Sequence, residues 1–384
     1  MKTLAHCRVL DLGIITAGAA TSAILSDLGA EVIKIESPSY KDPFRRWRGQ
    51  IFPGEHPDMP PFFRMTNRGK KNVAIDLKSE QGREVFLTLL TKCDIVVENF
   101  SRGVLDRLGL TFEVMRKANP EIILASISSQ GESGPDERYV SFGSTLEAMA
   151  GLSALTGYRD GSPEISGVDY NYPDQVVAVF VASMITTAWY ARQQGKGGAH
   201  LDLSQRELTS FLAGEAFLKT SAVERIGNAQ DHCLYQDCYR SKDKYWIALS
   251  ILKTDQQTLS VITGAQDEAE LQNWIGAHEA DDILAQFSSA GIVAQKVLGG
   301  DSVLQEHTKA WSRALGLARD GDLVKGVLFE DLHKTGERPT PTAHFATDTK
   351  DILMQIGGYS KDQIDALAKA GAISLPNDEK GHVA

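Results

Sequence analysis

The first 130 residues alternate between two kinds of apolar segment, and this alternation constrains the fold more than any other feature of the chain. Short runs rich in β-branched residues read as buried strands: RVLDL (8–12), EVIKIE (31–36), NVAID (72–76), DIVVE (94–98) and EIILASIS (121–128). Helical patterns lie between them. AATSAILSDLG (19–29) carries Ala20, Ala23, Ile24 and Leu28 at helical spacing, with Gly29 as its stop. In EQGREVFLTLLTKC, Val85, Phe86, Leu89 and Leu90 make one apolar face, and Ser79 is placed to cap it. Strands separated by helices pair in parallel, so the series predicts an α/β fold: a Rossmann-like parallel sheet with helices on both faces.

Further along, 175–194 reads as one long helix, broken by GKGGAH. LDLSQRELTSFLAGEAFL (201–218) begins as a strand and continues as a helix. Near 225 the character changes: CLYQDCYRSKDKYWIALS has the pattern of antiparallel strands about an SKDK turn, and 255–296 is mostly helical. A polar stretch, TGERPTPTAHFATDT (335–349), leads to a last helical piece, KDQIDALAKAGAI. A chain of 384 residues is long for a single core. The expected division is a large domain over 1–210, completed by 335–384, and a small α+β domain over 225–330.

A net charge of −10 argues against a nucleic-acid partner. No apolar run reaches the roughly 18–20 residues of a membrane span without polar breaks; VVAVFVASMITTAW comes closest. MKTLAHCRVLDLG lacks the layout of a signal peptide, and four scattered cysteines suit reduced thiols, so a cytoplasmic location is expected. Arg45, Arg46, Arg48, Arg64, Arg68, Lys70 and Lys71 cluster in the N-terminal third. They read either as a solvated surface or as a local pocket for an anion.

Several familiar chemistries find no motif. GKGGAH lacks the Ser or Thr of a phosphate-binding P-loop. GIITAGAAT has only Gly13 and Gly18 where a dinucleotide fingerprint needs three glycines; Glu36 would be the ribose ligand in that reading. His232, Cys233 and Cys238 fall short of a four-ligand zinc site, so no metal is expected. There is no G-x-S-x-G. What remains is GVDYNYPDQV (167–176), with Asp169 in a Gly/Tyr-rich loop and Asp174 behind Pro173. Pro173 suits the first helical position, which puts Asp174 in the first turn, where unpaired N–H groups and the helix dipole favour an ionised carboxylate. Such a residue can be a plain helix start worth about 1 kcal/mol, or a nucleophile facing a pocket.

Five segments together resemble the hallmark segments of class III CoA-transferases, the CaiB/BaiF family: RVLDLGIITAGAATSAILSDLGAEVIKIESP, NRGKKNVAIDLKSEQGRE, DIVVENFSRGVLDRLGL, SISSQGESGP and PDQVVAVFVASMITTAWYARQQGKG. That family includes formyl-CoA:oxalate and carnitine CoA-transferases and α-methylacyl-CoA racemase. The resemblance implies an acyl-CoA and a carboxylic acid acceptor as partners, CoA as the group carried, and an interlocked homodimer. It implies an aspartate that forms an anhydride with the acyl group and then a thioester with CoA. The family's nucleophile precedes the glycine of a Thr-Gly-x-Gly loop. Asp174 stands 21 residues before Gly195, with that threonine missing, and Asp169 stands 26 before it. Asp174 is therefore the matching position, although Ala178 replaces a glycine usual after it.

The same resemblance carries CoA contacts onto Ile15, Thr16, Ile75, Lys78, Asn99, Arg107 and Leu108. Ser37, Thr16 and IGNAQDHC depart from the oxalate enzymes, which weakens oxalate as acceptor. The racemase alternative pairs the aspartate with a histidine; Phe142 occupies that column here, and Gly143 occupies the next, often acidic, one. A CoA-binding protein without catalysis is a third reading. The basic cluster suggests small or dicarboxylic acids as substrates.

Overall fold

In a computed structural model, six parallel strands carry the first part of the chain: β1 (Arg8–Asp11), β2 (Glu31–Glu36), β3 (Lys71–Ile75), β4 (Ile95–Glu98), β5 (Ile123–Ser128) and β6 (Ala199–Ser204). The structure describes residues 3–47, 58–167, 170–218, 225–299, 302, 315–317, 319, 323–326 and 340–376. The strands lie in the order 3-2-1-4-5-6, the doubly wound arrangement expected of the βαβ series. Alternate residues face opposite sides. Ile95, Val97, Ile123, Ala125 and Ile127 enter one core, and Val96 and Leu124 enter the other.

Helices cover both faces. Helix Glu80–Leu90 lays Val85, Phe86, Leu89 and Leu90 on one side, and Ser79 Oγ accepts the Gly82 N–H at 3.0 Å as its cap. Helices Ala17–Asp27 and Tyr172–Gln193 cover the other. Tyr172–Gln193 buries Val177, Ala178, Val181, Ala182 and Ile185 and leaves Val179 and Tyr190 exposed. By length and composition this helix is long and apolar enough to cross a membrane, with a mean hydropathy of 1.2 over an 18-residue window, a test that buried core helices pass as well. Thr186 and Thr187 return their hydroxyls to the carbonyls of Ala182 and Ser183.

The chain returns to β3 near its end. Ile373–Ser374 pairs antiparallel with β3, and Ile352, Leu353 and Ile364 of two short helices join the first core. Asp348 Oδ2 accepts the Asn72 N–H, and Thr349 Oγ1 accepts that of Ala74. The β3 edge is thereby closed to pairing with other chains.

Two units divide the chain: Met1–Leu152 with Ile165–Leu218 and Ser312–Ala384, and Ser153–Glu164 with Lys219–Trp311. The second is α+β. Cys233–Arg240, Trp246–Leu252 and Val293–Lys296 form an antiparallel sheet, the first two joined by the expected turn. Ile247, Leu249 and Ile251 pack against Leu271, Ile275, Ile283 and Phe287 from its helices.

Most of the basic cluster is paired with carboxylates or buried, neither free on the surface nor lining an open anion pocket. Arg45 is 2% exposed and pairs with Glu36 at 2.7 Å and Asp58 at 3.3 Å. Lys70 pairs with Asp11 at 2.7 Å, Arg68 with Asp27, and Lys71 with Glu31 at 2.7 Å. Arg64 is buried, Arg46 exposed, and Arg48 lies outside the described residues. Buried cations need carboxylates, and the sheet brings these from positions distant in sequence. Burial alone would raise the Glu36 pKa, but Arg45 and Lys34 pull it down to about 2.

Breaking one of these pairs leaves an uncompensated charge. Asp11→Ala is expected to lower the urea-unfolding free energy by roughly 3–5 kcal/mol. Asp11→Leu combined with Lys70→Met is expected to cost less than the single change, because no charge is then left buried alone.

Candidate active site

The strand order reverses between β1 and β4, so the loops after these two strands part and open a crevice at their carboxyl ends. The loop after β1 starts with Gly13, where a Cβ would stand 2.5 Å from the Gly18 carbonyl carbon. Ile15 follows at φ 60°, a left-handed conformation costly for a β-branched residue. Hydrogen bonds hold it there. Asp11 Oδ1 accepts the Gly13 N–H at 2.8 Å, and Asp42 Oδ1 accepts that of Ile15 at 3.2 Å. Lys34 Nζ donates to the Gly13 carbonyl at 2.6 Å and pairs with Asp42. Asn99, just past β4, accepts the Ile14 N–H at 2.8 Å and donates to the Ile14 carbonyl at 3.0 Å, which ties the two loops together.

A cavity of about 420 Å³ fills the crevice. Of the eight site residues expected from the sequence, Ile15, Lys78, Asn99, Leu108 and Asp174 line it. Arg107 lines an adjoining cavity of about 350 Å³ with Arg102 and Arg138, and Ser101, Arg102, Glu137 and Arg138 border both. Thr16 and Ile75 line neither. Thr16 is buried at the start of the Ala17–Asp27 helix. Ile75 is fully buried in the core beside Ile373, because the alternation of β3 turns its side chain inward; Asp76, Leu77 and Lys78 reach the cavity instead. Asp169 lies outside the described residues.

Asp174 is the third residue of the Tyr172–Gln193 helix, with Pro173 second rather than first. Its Oδ2 is buried and has no hydrogen-bond partner among the described residues. The helix start does not keep the carboxyl in its usual range. Burial raises its pKa to about 6, opposed only by its own backbone N–H. The loop before it is held by helix Gly143–Met149. Asn171 caps the long helix at φ 48°, and a Cβ on Gly143 would meet its Oδ1 at 2.8 Å. An acidic side chain at 143 would displace this loop. One turn on, the buried Glu147 accepts from the Ser166 N–H at 3.0 Å and hydroxyl at 2.6 Å.

Sequence reasoning missed Gln205, Ser128, Ser129 and Tyr139, all lining the same cavity. Ser128, Ser129 and Gln205 sit at or just past the carboxyl ends of β5 and β6. Position at strand ends was the signal that could have singled out Ser128, Ser129 and Gln205.

The raised pKa of Asp174 has a consequence for stability. Between about pH 4 and 6 the unfolded carboxyl loses its proton and the folded one keeps it, so stability falls as pH rises through that window. Asp174→Asn is expected to stabilise the protein at pH 7.5 by on the order of 2–3 kcal/mol, with no gain below about pH 4. Thermal melts across pH test this; an equal gain at pH 3.5 overturns it.

Comparison with known proteins identifies the family. Residues 4–325 match the sequence profile of CoA-transferase family III. An acetyl-CoA:oxalate CoA-transferase of Acetobacter aceti is 35% identical over 244 residues, covering 62% of this chain and 61% of the relative, less than two thirds of its length. A succinyl-CoA–D-citramalate CoA-transferase of Chloroflexus aurantiacus is 29% identical over 348 residues, 84% of this chain and 85% of the relative. A crystal structure of a CaiB/BaiF family protein from Brucella suis shares the fold, with a TM-score of 0.81 at 24% identity over 91% of this chain and 98% of the other. The chain belongs to CoA-transferase family III.

Proposed function

We propose that this protein is an acyl-CoA:carboxylate CoA-transferase with Asp174 as its nucleophile. The observation that carries the reading is the unpartnered, buried Asp174 Oδ2 beside a cavity large enough for a ligand. A carboxylate stripped of water and of hydrogen bonds is a strong nucleophile, and a pKa near 6 leaves it ionised at neutral pH.

In this reading Asp174 attacks the thioester carbonyl carbon, the electron pair moves to the carbonyl oxygen, and collapse breaks the C–S bond. CoA thiolate leaves and an aspartyl–acyl anhydride remains. The thiolate attacks the aspartyl carbonyl and expels the first acid as its carboxylate, giving aspartyl-CoA thioester. The acceptor carboxylate attacks that thioester and expels CoA thiolate; the thiolate attacks the acceptor's acyl carbon and frees Asp174. No proton is gained or lost, and neither metal nor ATP is required.

The CoA moiety fits the same cleft in this reading. Ile15, Asn99, Leu108 and Lys78 border it, and Arg102, Arg107 and Arg138 border the adjoining cavity, where guanidinium groups suit phosphate oxygens. Thr16 and Ile75 would act through their neighbours or backbone only. The paired basic cluster no longer argues for the acids. Small carboxylic acids are proposed instead from the relatives, whose names pair acetyl-CoA with oxalate and succinyl-CoA with D-citramalate. Racemase chemistry is disfavoured because the phenyl ring of Phe142, which borders the cavity, carries no proton to exchange.

A homodimer belongs to the same proposal. Val179, Met184, Tyr190, Phe211, Phe217 and Leu218 are all exposed, the last at 83%, on the long helix and the segment after β6. Apolar exposure on this scale marks an interface. A reducing, cytoplasmic setting is supported by four free cysteines.

Hydroxylamine trapping after incubation with acetyl-, succinyl-, formyl- and butyryl-CoA is expected to place a hydroxamate on Asp174, and Asp174→Ala is expected to abolish transfer while sparing CoA binding. A hydroxamate on another residue overturns the assignment. The kcat/KM for the donor is expected to fall about tenfold per pH unit below about pH 6 and to level above it. Light scattering is expected to give twice the chain mass of 41.9 kDa; a monomer at micromolar concentration overturns the dimer.

A further inference from the structure

Gln205 is the first residue of helix Gln205–Leu212, directly after β6. It is 6% exposed, and its Oε1 is buried without a hydrogen-bond partner. It borders the same cavity as Asp174, whose Oδ2 is likewise buried and unpartnered. A carboxamide left unsatisfied inside a protein is a cost to the fold. Two such polar groups bordering one cavity mark it as a place for a polar ligand.

We propose that Gln205 is a catalytic residue whose carboxamide donates a hydrogen bond to the acyl oxygen as Asp174 attacks. The proposal rests on the transferase reading above. Attack places negative charge on an oxygen that is only a weak acceptor in the ground state, so a fixed donor there lowers the barrier more than it tightens binding. A carboxamide offers a donor and an acceptor on opposite sides, and a half-turn about its last bond brings Nε2 to where Oε1 stands. Its neutrality matters as well. A lysine or arginine in this place would pair with Asp174 and lower its nucleophilicity, whereas an amide supplies a donor without a counter-charge. The backbone supports the position. Ser204 Oγ caps the helix by accepting the Glu207 N–H at 3.2 Å, and Arg206 N–H donates to the Ser129 carbonyl at 3.1 Å.

The test compares the parent with Gln205→Leu and Gln205→Glu in single-turnover loading of Asp174, read as CoA release and hydroxamate yield. For the parent and the leucine variant, measurement at pH 8.5 keeps Asp174 ionised. Gln205→Leu is expected to load roughly 10²-fold more slowly, with the KM for acyl-CoA within about threefold of the parent. Its thermal midpoint is expected to be equal or higher, because an unsatisfied polar group has been removed. Gln205→Glu is expected to gain on the parent as pH falls, since a protonated carboxyl again donates. A leucine variant that loads at the parental rate overturns the proposal. So does a variant that loses rate only together with thermal stability, or one whose KM rises while its loading rate holds. A parent that loads no donor overturns the transferase reading, and the role of Gln205 with it. With a parent that loads normally, the variants test Gln205 alone.

Discussion

The site depends on a lattice of buried charge beneath the loop that follows β1. Asp11, Lys34, Glu36, Asp42, Arg45 and Lys70 are each at most 3% exposed, and they pair with one another across β1, β2 and the start of β3. Their side chains then hold backbone: Asp11 the amide of Gly13, Lys34 its carbonyl, Asp42 the amide of Ile15. A β-branched residue at positive φ relaxes unless its surroundings fix it. Here ions fix it, and Asn99 extends the hold to the loop after β4. Desolvation of so many charges is unfavourable, so the lattice serves geometry more than stability.

How far the sequence revealed this differs by interaction range. The strands were legible because β-branched runs repeat between helical patterns, and β4 and β5 fall within the runs DIVVE and EIILASIS. The place of Asp174 in the first turn of the long helix was legible from Pro173. Its titration was not: the first turn of a helix is visible in sequence, but the burial of Oδ2 is made by elements elsewhere in the chain. The basic cluster failed for the same reason. Arg45, Arg68 and Lys70 look alike on paper, and only the sheet brings Glu36, Asp27 and Asp11 to them. Gln205 carries no motif; its meaning comes from standing unsatisfied at a strand end.

Asp174 and its loop show the tension between holding a shape and keeping a group reactive. Asn171 sits in a strained conformation, Glu147 is buried to hold Ser166, and Gly143 gives up a side chain to let the loop lie close. Each is a local concession in stability, made beside a carboxylate oxygen that has no partner among the described residues.

The short strand at Ile373–Ser374 bears on the order in which the chain comes together. β3 is made early, yet its outer edge gains its partners only from residues 348–374, more than 270 positions later. A β-branched edge left open that long is a template for pairing with neighbouring nascent chains. The Asn72 and Ala74 amides wait for Asp348 and Thr349, about 275 positions on, before they are accepted. Folding of the parallel sheet therefore finishes late, through its longest-range contacts. A truncation just before Ile373 would leave the cavity-lining residues intact in sequence while removing the last strand from the β3 edge, so the sheet is completed only in the finished chain.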